Sequence, residues 1–162
     1  MSDKKRCLLA VDVQSFFNPP QGMVHQINQV AEVLPTVATV FSHNEDIIPL
    51  EKLTGGDGPE ADTTLVKTEN IFPKHGYLLP RGVIEFIKQG EFDEVIVSGG
   101  HTDANVLATG FTLFEFGIQP VLVPLLCYGN EWYMHSVTTG IWEKQIGKVM
   151  ESTKDLGIGS IG

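Results

Sequence analysis

The segment VIVSGGHTDANV, residues 95–106, is the most informative part of this chain about its fold. Its apolar start is typical of a buried strand, and two glycines then lead into a segment of helical pattern. A strand that passes through a tight glycine turn into a helix is how an open α/β sheet presents a reactive group. The segment LLAVD, residues 8–12, ends a second apolar strand with the carboxylate of Asp12. Two such strand ends predict one shared site.

Composition and charge describe a single globular domain and exclude some functions. The chain has 162 residues, 42% of them hydrophobic and 19% charged, which is enough for one domain with a full core. A net charge of −9 with 11 Lys and Arg residues argues against nucleic acid, because phosphate contacts need basic side chains. Arg6 and Arg81 are the only arginines, so a highly anionic substrate would find few bidentate partners.

The cysteines and the N-terminal segment bear on the cellular compartment. Cys7 and Cys127 give no disulfide framework and are expected to be reduced. The first apolar run is broken at Asp12, which makes it too short for a signal peptide or a membrane span. We therefore expect a cytoplasmic protein that binds neither nucleic acid nor membranes.

Apolar runs alternate along the chain with stretches of helical period. Strands are predicted at 7–11, 36–41, 64–67, 94–98, 120–125 and 148–151, and helices at 24–34, 82–89, 103–116 and 131–146. The polar segment 43–62 is expected to be a surface loop able to cover a site, and the tail at 157–162 to be mobile.

Repeated strand-helix-strand units predict a three-layer α/β/α domain over 1–162, with a Rossmann-like parallel sheet. In the common order 3-2-1-4-5-6, strands one and four are neighbours, and ligands bind beyond their carboxyl ends. Asp12 and the turn at 99–105 would then lie side by side. Lys67, which closes the third predicted strand, would be near enough to reach them.

Asp12 and Lys67 are the first candidates for chemistry. Asp12 would be desolvated by Phe16 and Phe17, and apolar surroundings raise a carboxyl pKa into a range that suits general acid or base work. The alternative is that Asp12 has no catalytic role, because acidic residues are common where strands end in solvent. Lys67 would act as charge partner or oxyanion stabiliser, whereas elsewhere it would be an ordinary surface lysine.

The glycine turn supplies the other candidates. Gly99 and Gly100 permit the tight turn, and the amides at the start of the following helix would hold a developing oxyanion. His101 is either a base or donor, or a structural histidine, and Thr102 is a plausible helix cap. Asn105 can donate and accept hydrogen bonds but is no nucleophile.

Cofactor signals are missing from the sequence. The five histidines are scattered without ligand spacing, and no glycine-rich nucleotide motif is present. We therefore expect neither a metal nor another cofactor.

Together these motifs resemble the isochorismatase-like hydrolases, which include nicotinamidases and other cysteine amidohydrolases. LAVDVQ, residues 9–14, resembles the family's opening strand with its catalytic aspartate. Residues 66–67 resemble the segment that supplies its active-site lysine, and GGHTDANV, residues 99–106, resembles the turn that presents its nucleophilic cysteine. The resemblance covers nearly the whole chain.

The resemblance implies a six-stranded parallel sheet, a homo-oligomer and a small-molecule substrate. It also implies a non-proline cis peptide just before the threonine, which would be the bond between His101 and Thr102. The residues expected to contact the substrate are Phe17, Gly100, His101 and Thr102.

One departure from the family bears directly on function, because Asn105 stands where the family has its cysteine. The thioester route therefore lacks its thiolate. In isochorismatases proper, which also lack the cysteine, the aspartate is thought to protonate a vinyl ether. By analogy Asp12 would act as acid or base, with Lys67 holding developing charge. The nicotinamidase metal pattern is absent around His43, so a nicotinamidase assignment is poor.

Three hypotheses follow from the sequence. The first is a hydrolase that works through Asp12 without a cysteine nucleophile. The second is a catalytically silent relative kept as a ligand-binding or oligomeric scaffold. The third is an amidase acting through Cys127, which requires that its thiol lies near the site at the carboxyl ends of strands one and four.

Overall fold

The computed structural model describes residues 4–156. The strands in this range are β1 (Arg6–Val11), β2 (Thr36–Phe41), β3 (Ile71–Lys74), β4 (Glu94–Gly100), β5 (Pro120–Tyr128) and β6 (Lys148–Val149). The α-helices are α1 (Gln21–Ala31), α2 (Leu50–Thr54), α3 (Arg81–Gln89), α4 (Leu107–Glu115) and α5 (Trp132–Gln145). Short turns of 3-10 helix occupy Ser15–Phe17 and Lys154–Leu156, and a π-type turn, Thr102–Val106, precedes α4. The tail predicted to be mobile, 157–162, lies outside the described residues.

The strands of the described range form one parallel sheet in the order β3-β2-β1-β4-β5-β6, which confirms the predicted order. β1 is central, and its apolar run is buried because both faces of the sheet are covered. Helices α3, α4 and α5 pack on one face, and α1 packs on the other. Val11 of β1 pairs with Gly99 of β4, so the carboxyl ends of these neighbouring strands lie level.

The third strand was predicted in the wrong place. Residues 64–67 form no strand: the Leu65 amide donates to the carbonyl of Val13, and the Lys67 amide donates to the side chain of Asn28. The strand is instead Ile71–Lys74, which contains Pro73. Proline argues against a central strand, but β3 is an edge strand, where a missing amide is tolerated.

Other boundaries differ by a few residues from the prediction. α1 begins earlier than expected, directly after Pro20, since proline suits the start of a helix. β5 continues past its predicted end to Tyr128, after an irregularity in its pairing with β4. Within residues 4–156, none of the helices combines the length and apolar character that a bilayer crossing demands.

Glu94, at the start of β4, is a buried carboxylate surrounded by cations. Its side chain is 1% exposed and accepts hydrogen bonds from Arg6 Nε at 2.9 Å and from Lys148 Nζ, with Lys4 Nζ at 3.5 Å. Burial alone would raise the pKa of Glu94, but the hydrogen bonds from Lys148 and Arg6 outweigh it and hold the pKa below its usual value. The folded state therefore favours the charged form.

Replacing Glu94 with Gln is expected to destabilise the fold by about 2 kcal/mol at pH 7, because hydrogen bonds to charged groups are lost. A lowered carboxyl pKa contributes stability above the unfolded pKa of about 4.3, and this contribution is lost as pH falls through the folded pKa. Urea denaturation of both proteins should thus show a difference in the free energy of unfolding that disappears in acid. A gap that widens in acid would contradict this account.

Candidate active site

Asp12 follows β1 directly and is held by three elements of the sheet. Its backbone has a φ of 50°, and its amide donates to the carbonyl of Thr39 at 3.2 Å. Tyr128, at the end of β5, donates its hydroxyl to the Asp12 carbonyl at 3.2 Å. Gly99 permits the close approach of β4, since a Cβ at that position would lie 2.2 Å from the Val11 carbonyl oxygen. The position of the carboxylate is thereby fixed.

The Asp12 carboxylate forms a buried ion pair. One oxygen accepts a hydrogen bond from Thr39 Oγ1 at 2.7 Å, and the other lies 2.9 Å from Lys74 Nζ. The side chains of Asp12 and Lys74 are at most 1% exposed. Burial raises the pKa of Asp12, although Lys74 and Thr39 oppose the shift, and burial lowers the pKa of Lys74. The proton affinities of the two groups therefore move toward each other, which favours proton exchange.

The lysine beside Asp12 is Lys74, and the structure does not bring Lys67, the predicted lysine, to this site. Lys67 is exposed and lies beside α1, where its amide contacts Asn28. Lys74 ends the true third strand and therefore reaches the carboxyl edge of the sheet. The sequence contains a signal for it, because Lys74 closes a short apolar run as Asp12 does.

Asn105 completes a small network around Lys74. The Lys74 ammonium donates to Asn105 Oδ1 at 3.2 Å and to the Tyr77 carbonyl at 3.3 Å, in addition to its contact with Asp12. Asn105 lies in the π-type turn, in which the Val106 amide donates to the His101 carbonyl at 3.1 Å. The structure thus brings Asp12 and Asn105 to one lysine, as the topology predicted, although to a different lysine.

A pocket of about 260 Å³ opens beside this network. His101 and Asn105 line it, and Phe17 and Phe41 contribute aromatic rings. The Phe17 ring meets the His101 ring edge-on, with centroids 5.6 Å apart. Asp12 and Lys74 do not line the pocket; they lie beneath its surface.

The predicted loop 43–62 forms one wall of the pocket through Ile48, Leu50 and Asp57. These three residues were not predicted as site residues, because the segment lacks periodicity. Glu45 orders the segment: its carboxylate accepts hydrogen bonds from two amides of α2, at 3.1 and 3.2 Å, and contacts His43 Nε2 at 2.7 Å.

The four predicted substrate contacts separate into two groups. Phe17 and His101 line the pocket. Gly100 and Thr102 do not: Gly100 is buried against the Tyr128 ring, and Thr102 is buried with its hydroxyl 2.9 Å from His135 Nδ1. Gly100 and Thr102 therefore hold the turn in place, because Tyr128 of β5 packs against the first and His135 of α5 contacts the second.

The cis peptide was expected one bond too late. It joins Gly100 to His101, not His101 to Thr102. Gly100 has no room for a side chain, since a Cβ would lie 2.6 Å from the ring of Tyr128.

Cys127 is not positioned to replace the missing thiolate. It lies within β5, is 3% exposed, and directs its thiol at the carbonyl of Val97 at 3.7 Å. Burial raises its pKa, which disfavours the thiolate. Over residues 4–156, no three His, Cys, Asp or Glu side chains are grouped so that they would hold a metal ion.

Comparison with known proteins places the fold. No family model and no curated protein matches the chain. Among solved structures, nicotinamidase from Bacillus subtilis is 20% identical with a TM-score of 0.74, covering 91% of this chain and 99% of its own. Pyrazinamidase of Pyrococcus horikoshii is 19% identical with a TM-score of 0.76, covering 90% and 98%.

An isochorismatase family protein from Desulfovibrio vulgaris subsp. vulgaris str. Hildenborough is 18% identical with a TM-score of 0.72, covering 91% of this chain and 94% of its own. The chain therefore has the α/β fold of the isochorismatase-like hydrolases. The resemblance that the motifs indicated is confirmed at the level of the fold.

Proposed function

We propose that this chain is an isochorismatase-like hydrolase of a small molecule that uses Asp12 for proton transfer and has no cysteine nucleophile. The observation that carries the proposal is the buried pair of Asp12 and Lys74, 2.9 Å apart, directly behind the pocket residue Asn105. A desolvated carboxyl group with a raised pKa is suited to act as general acid and general base near neutral pH.

The proposed reaction adds water across a C–O or C–N bond of the substrate. The Asp12 carboxylate removes a proton from water as the water oxygen attacks, and returns it to the departing oxygen or nitrogen. The carboxylate is then regenerated. The Lys74 ammonium stabilises the negative charge that develops in between. For this step the Asn105 side chain must turn away from Lys74, because Asp12 has no exposed surface.

A second candidate function is ligand binding without turnover, which the burial of Asp12 and Lys74 favours. The Lys74 ammonium donates to Asn105 and to the Tyr77 carbonyl and is paired with the buried Asp12 carboxylate, so it is already engaged within the protein. In that case the pocket would bind a ligand above a closed network.

Asp12→Asn separates the two candidates. We expect the wild-type protein to hydrolyse at least one member of a panel containing nicotinamide, pyrazinamide, N-carbamoylsarcosine and simple carboxylic esters. Asp12→Asn should slow that reaction about 100-fold, because the replacement is isosteric but cannot exchange the proton. Product formation is measured by chromatography, and circular dichroism verifies the fold.

Asp46→Asn is the matched control, since Asp46 is an exposed loop residue. It should retain full activity. An Asp12→Asn protein as active as wild type would refute the proposed role. A wild-type protein inert toward the whole panel would favour the binding module instead.

A further inference from the structure

We infer that the outer face of α5 is the contact surface of a homodimer, in which the α5 helices of two copies pack antiparallel to each other. The outer face is the row formed by Tyr133, Val137, Gly140 and Lys144. The inference is independent of the proposed function, because these residues lie outside the pocket lining.

Helix α5 is apolar on both of its faces. Its inner face is buried, with Thr138 and Trp142 at most 1% exposed. On its outer side, Tyr133, Val137 and Ile141 expose 58%, 51% and 38% of their surface. A helix with apolar residues all round is typical of one that is covered all round. The neighbouring helix α3 differs, since its exposed residues are polar: Arg81, Glu85, Lys88 and Gln89.

Helix α4 extends the apolar surface of α5. The two helices lie side by side, because a Cβ at Gly110 would be 2.4 Å from the Trp142 ring. Phe114 is one turn beyond Gly110 and therefore lies on the side of α4 toward α5, and Phe111 is exposed beside it. Trp132, at the start of α5, is also exposed.

The apolar area is large enough for a dimer. The six exposed apolar side chains of α4 and α5 present roughly 600 Å² in each copy, since an aromatic side chain alone has about 150–250 Å² to bury. Two copies would together cover roughly 1,200 Å² of apolar surface, which reaches the range of specific, stable interfaces before any polar rim is counted.

The spacing of the outer face makes it complementary to itself. Its members are four, three and four residues apart, which is the spacing of a helix–helix contact row in a coiled coil. In antiparallel register, Val137 of one protomer meets the partner's Gly140, and Tyr133 meets the partner's Lys144. Gly140 leaves space for this contact, because a Cβ at that position has no atom within 4 Å. Each contact occurs twice, as a two-fold interface requires.

Charges at the two ends of the row favour the antiparallel direction. Glu131 lies at the Tyr133 end, where its hydrogen bond with the Tyr133 hydroxyl raises the pKa of that tyrosine. Lys144 lies in the last turn of α5. Antiparallel packing brings the ammonium of each copy to the carboxylate of the other and opposes the two helix dipoles, whereas parallel packing brings like charges together.

Sedimentation equilibrium of the full chain tests the inference, and we expect a dimer at concentrations of roughly 1 to 100 μM. Val137→Glu places an unpaired carboxylate at the centre of the contact and should raise the dimer dissociation constant at least about 100-fold. Val33→Glu is the matched control, since Val33 lies just after α1 and is 50% exposed, as against 51% for Val137. It should leave the dissociation constant unchanged.

Gly140→Trp tests the close approach of the helices. Gly140 and Gly22, of α1, both have open space around an added Cβ, so a tryptophan at either position is compatible with the folded monomer. Gly140→Trp should raise the dissociation constant about tenfold or more, because the indole separates the two helices. Gly22→Trp, the control, should not change it. Circular dichroism verifies the fold of each variant.

A charge exchange tests the direction of packing. Lys144→Glu places two carboxylates together at each end of the contact and should weaken the dimer about tenfold, and adding Glu131→Lys should restore it. A wild-type protein that sediments as a monomer throughout the range would overturn the inference. So would a dimer that Val137→Glu and Gly140→Trp leave intact. A Lys144→Glu dimer as tight as wild type would refute the antiparallel register.

Discussion

Replacing Lys74 with Met is expected to destabilise the fold by about 3–5 kcal/mol at pH 7. The change leaves the Asp12 carboxylate, which has no exposed surface, without the ammonium group 2.9 Å away. Removing one member of a buried ion pair is more damaging than replacing both, because an uncompensated charge remains in the interior. Urea denaturation monitored by tryptophan fluorescence measures the loss.

The loss should depend on pH with a definite sign. Burial already raises the pKa of Asp12, and Lys74 opposes that shift, so the pKa rises further in Lys74→Met. A carboxyl group whose folded pKa exceeds its unfolded value of about 3.9 stabilises the fold below that value and loses this contribution as pH rises toward the folded pKa. The difference in the free energy of unfolding between Lys74→Met and wild type should therefore become smaller when the pH is lowered from 7 to 5. The decrease is up to about 1.4 kcal/mol per pH unit.

Lys67→Met is the matched control, with the same chemical change at an exposed lysine. It should alter the free energy of unfolding by no more than about 0.5 kcal/mol. Equal losses from the two substitutions would contradict the assignment of Lys74 as the partner of Asp12. A gap that grows on acidification would contradict the charge argument.

The contrast between these two lysines shows what the sequence was able to predict. β1 and β4 contain the apolar runs 7–11 and 95–97, and the common strand order 3-2-1-4-5-6 makes these two strands neighbours. Asp12 and the glycine turn were predictable because they follow those runs directly. Lys74 also closes a short apolar run, but it was missed because Pro73 argues against a strand there and residues 64–67 have a strand-like pattern.

The remaining features of the site depend on contacts between distant parts of the chain. Tyr128 reaches the carbonyl of Asp12 across 116 positions in sequence, and no local pattern encodes that contact. Asp57 comes from a segment without periodicity, and its place in the pocket follows from how Glu45 and α2 order that segment. Tertiary packing decides such positions, so only the structure reveals them.

Replacing Asn105 with Cys is expected to create a reactive thiol and to accelerate hydrolysis of p-nitrophenyl acetate about 10³-fold over wild type. The Asn105 amide oxygen lies 3.2 Å from the Lys74 ammonium, and a nearby cation lowers a thiol pKa. The thiolate would attack the ester carbonyl, p-nitrophenolate would leave, and water would cleave the acyl thioester and regenerate the thiol. A burst of p-nitrophenolate equal to the enzyme concentration, read by absorbance, is the expected signature.

The native thiols give this experiment a low background. Burial raises the pKa of Cys7 to about 12 and also raises that of Cys127, so neither forms a thiolate readily. Ala104→Cys is the matched control, because Ala104 lines the same pocket but lacks the contact with Lys74. It should show no burst and little gain in rate. A folded Asn105→Cys protein no faster than Ala104→Cys would mean that proximity to Lys74 and Asp12 does not activate a group at this position, and the hydrolase proposal would lose its chemical basis.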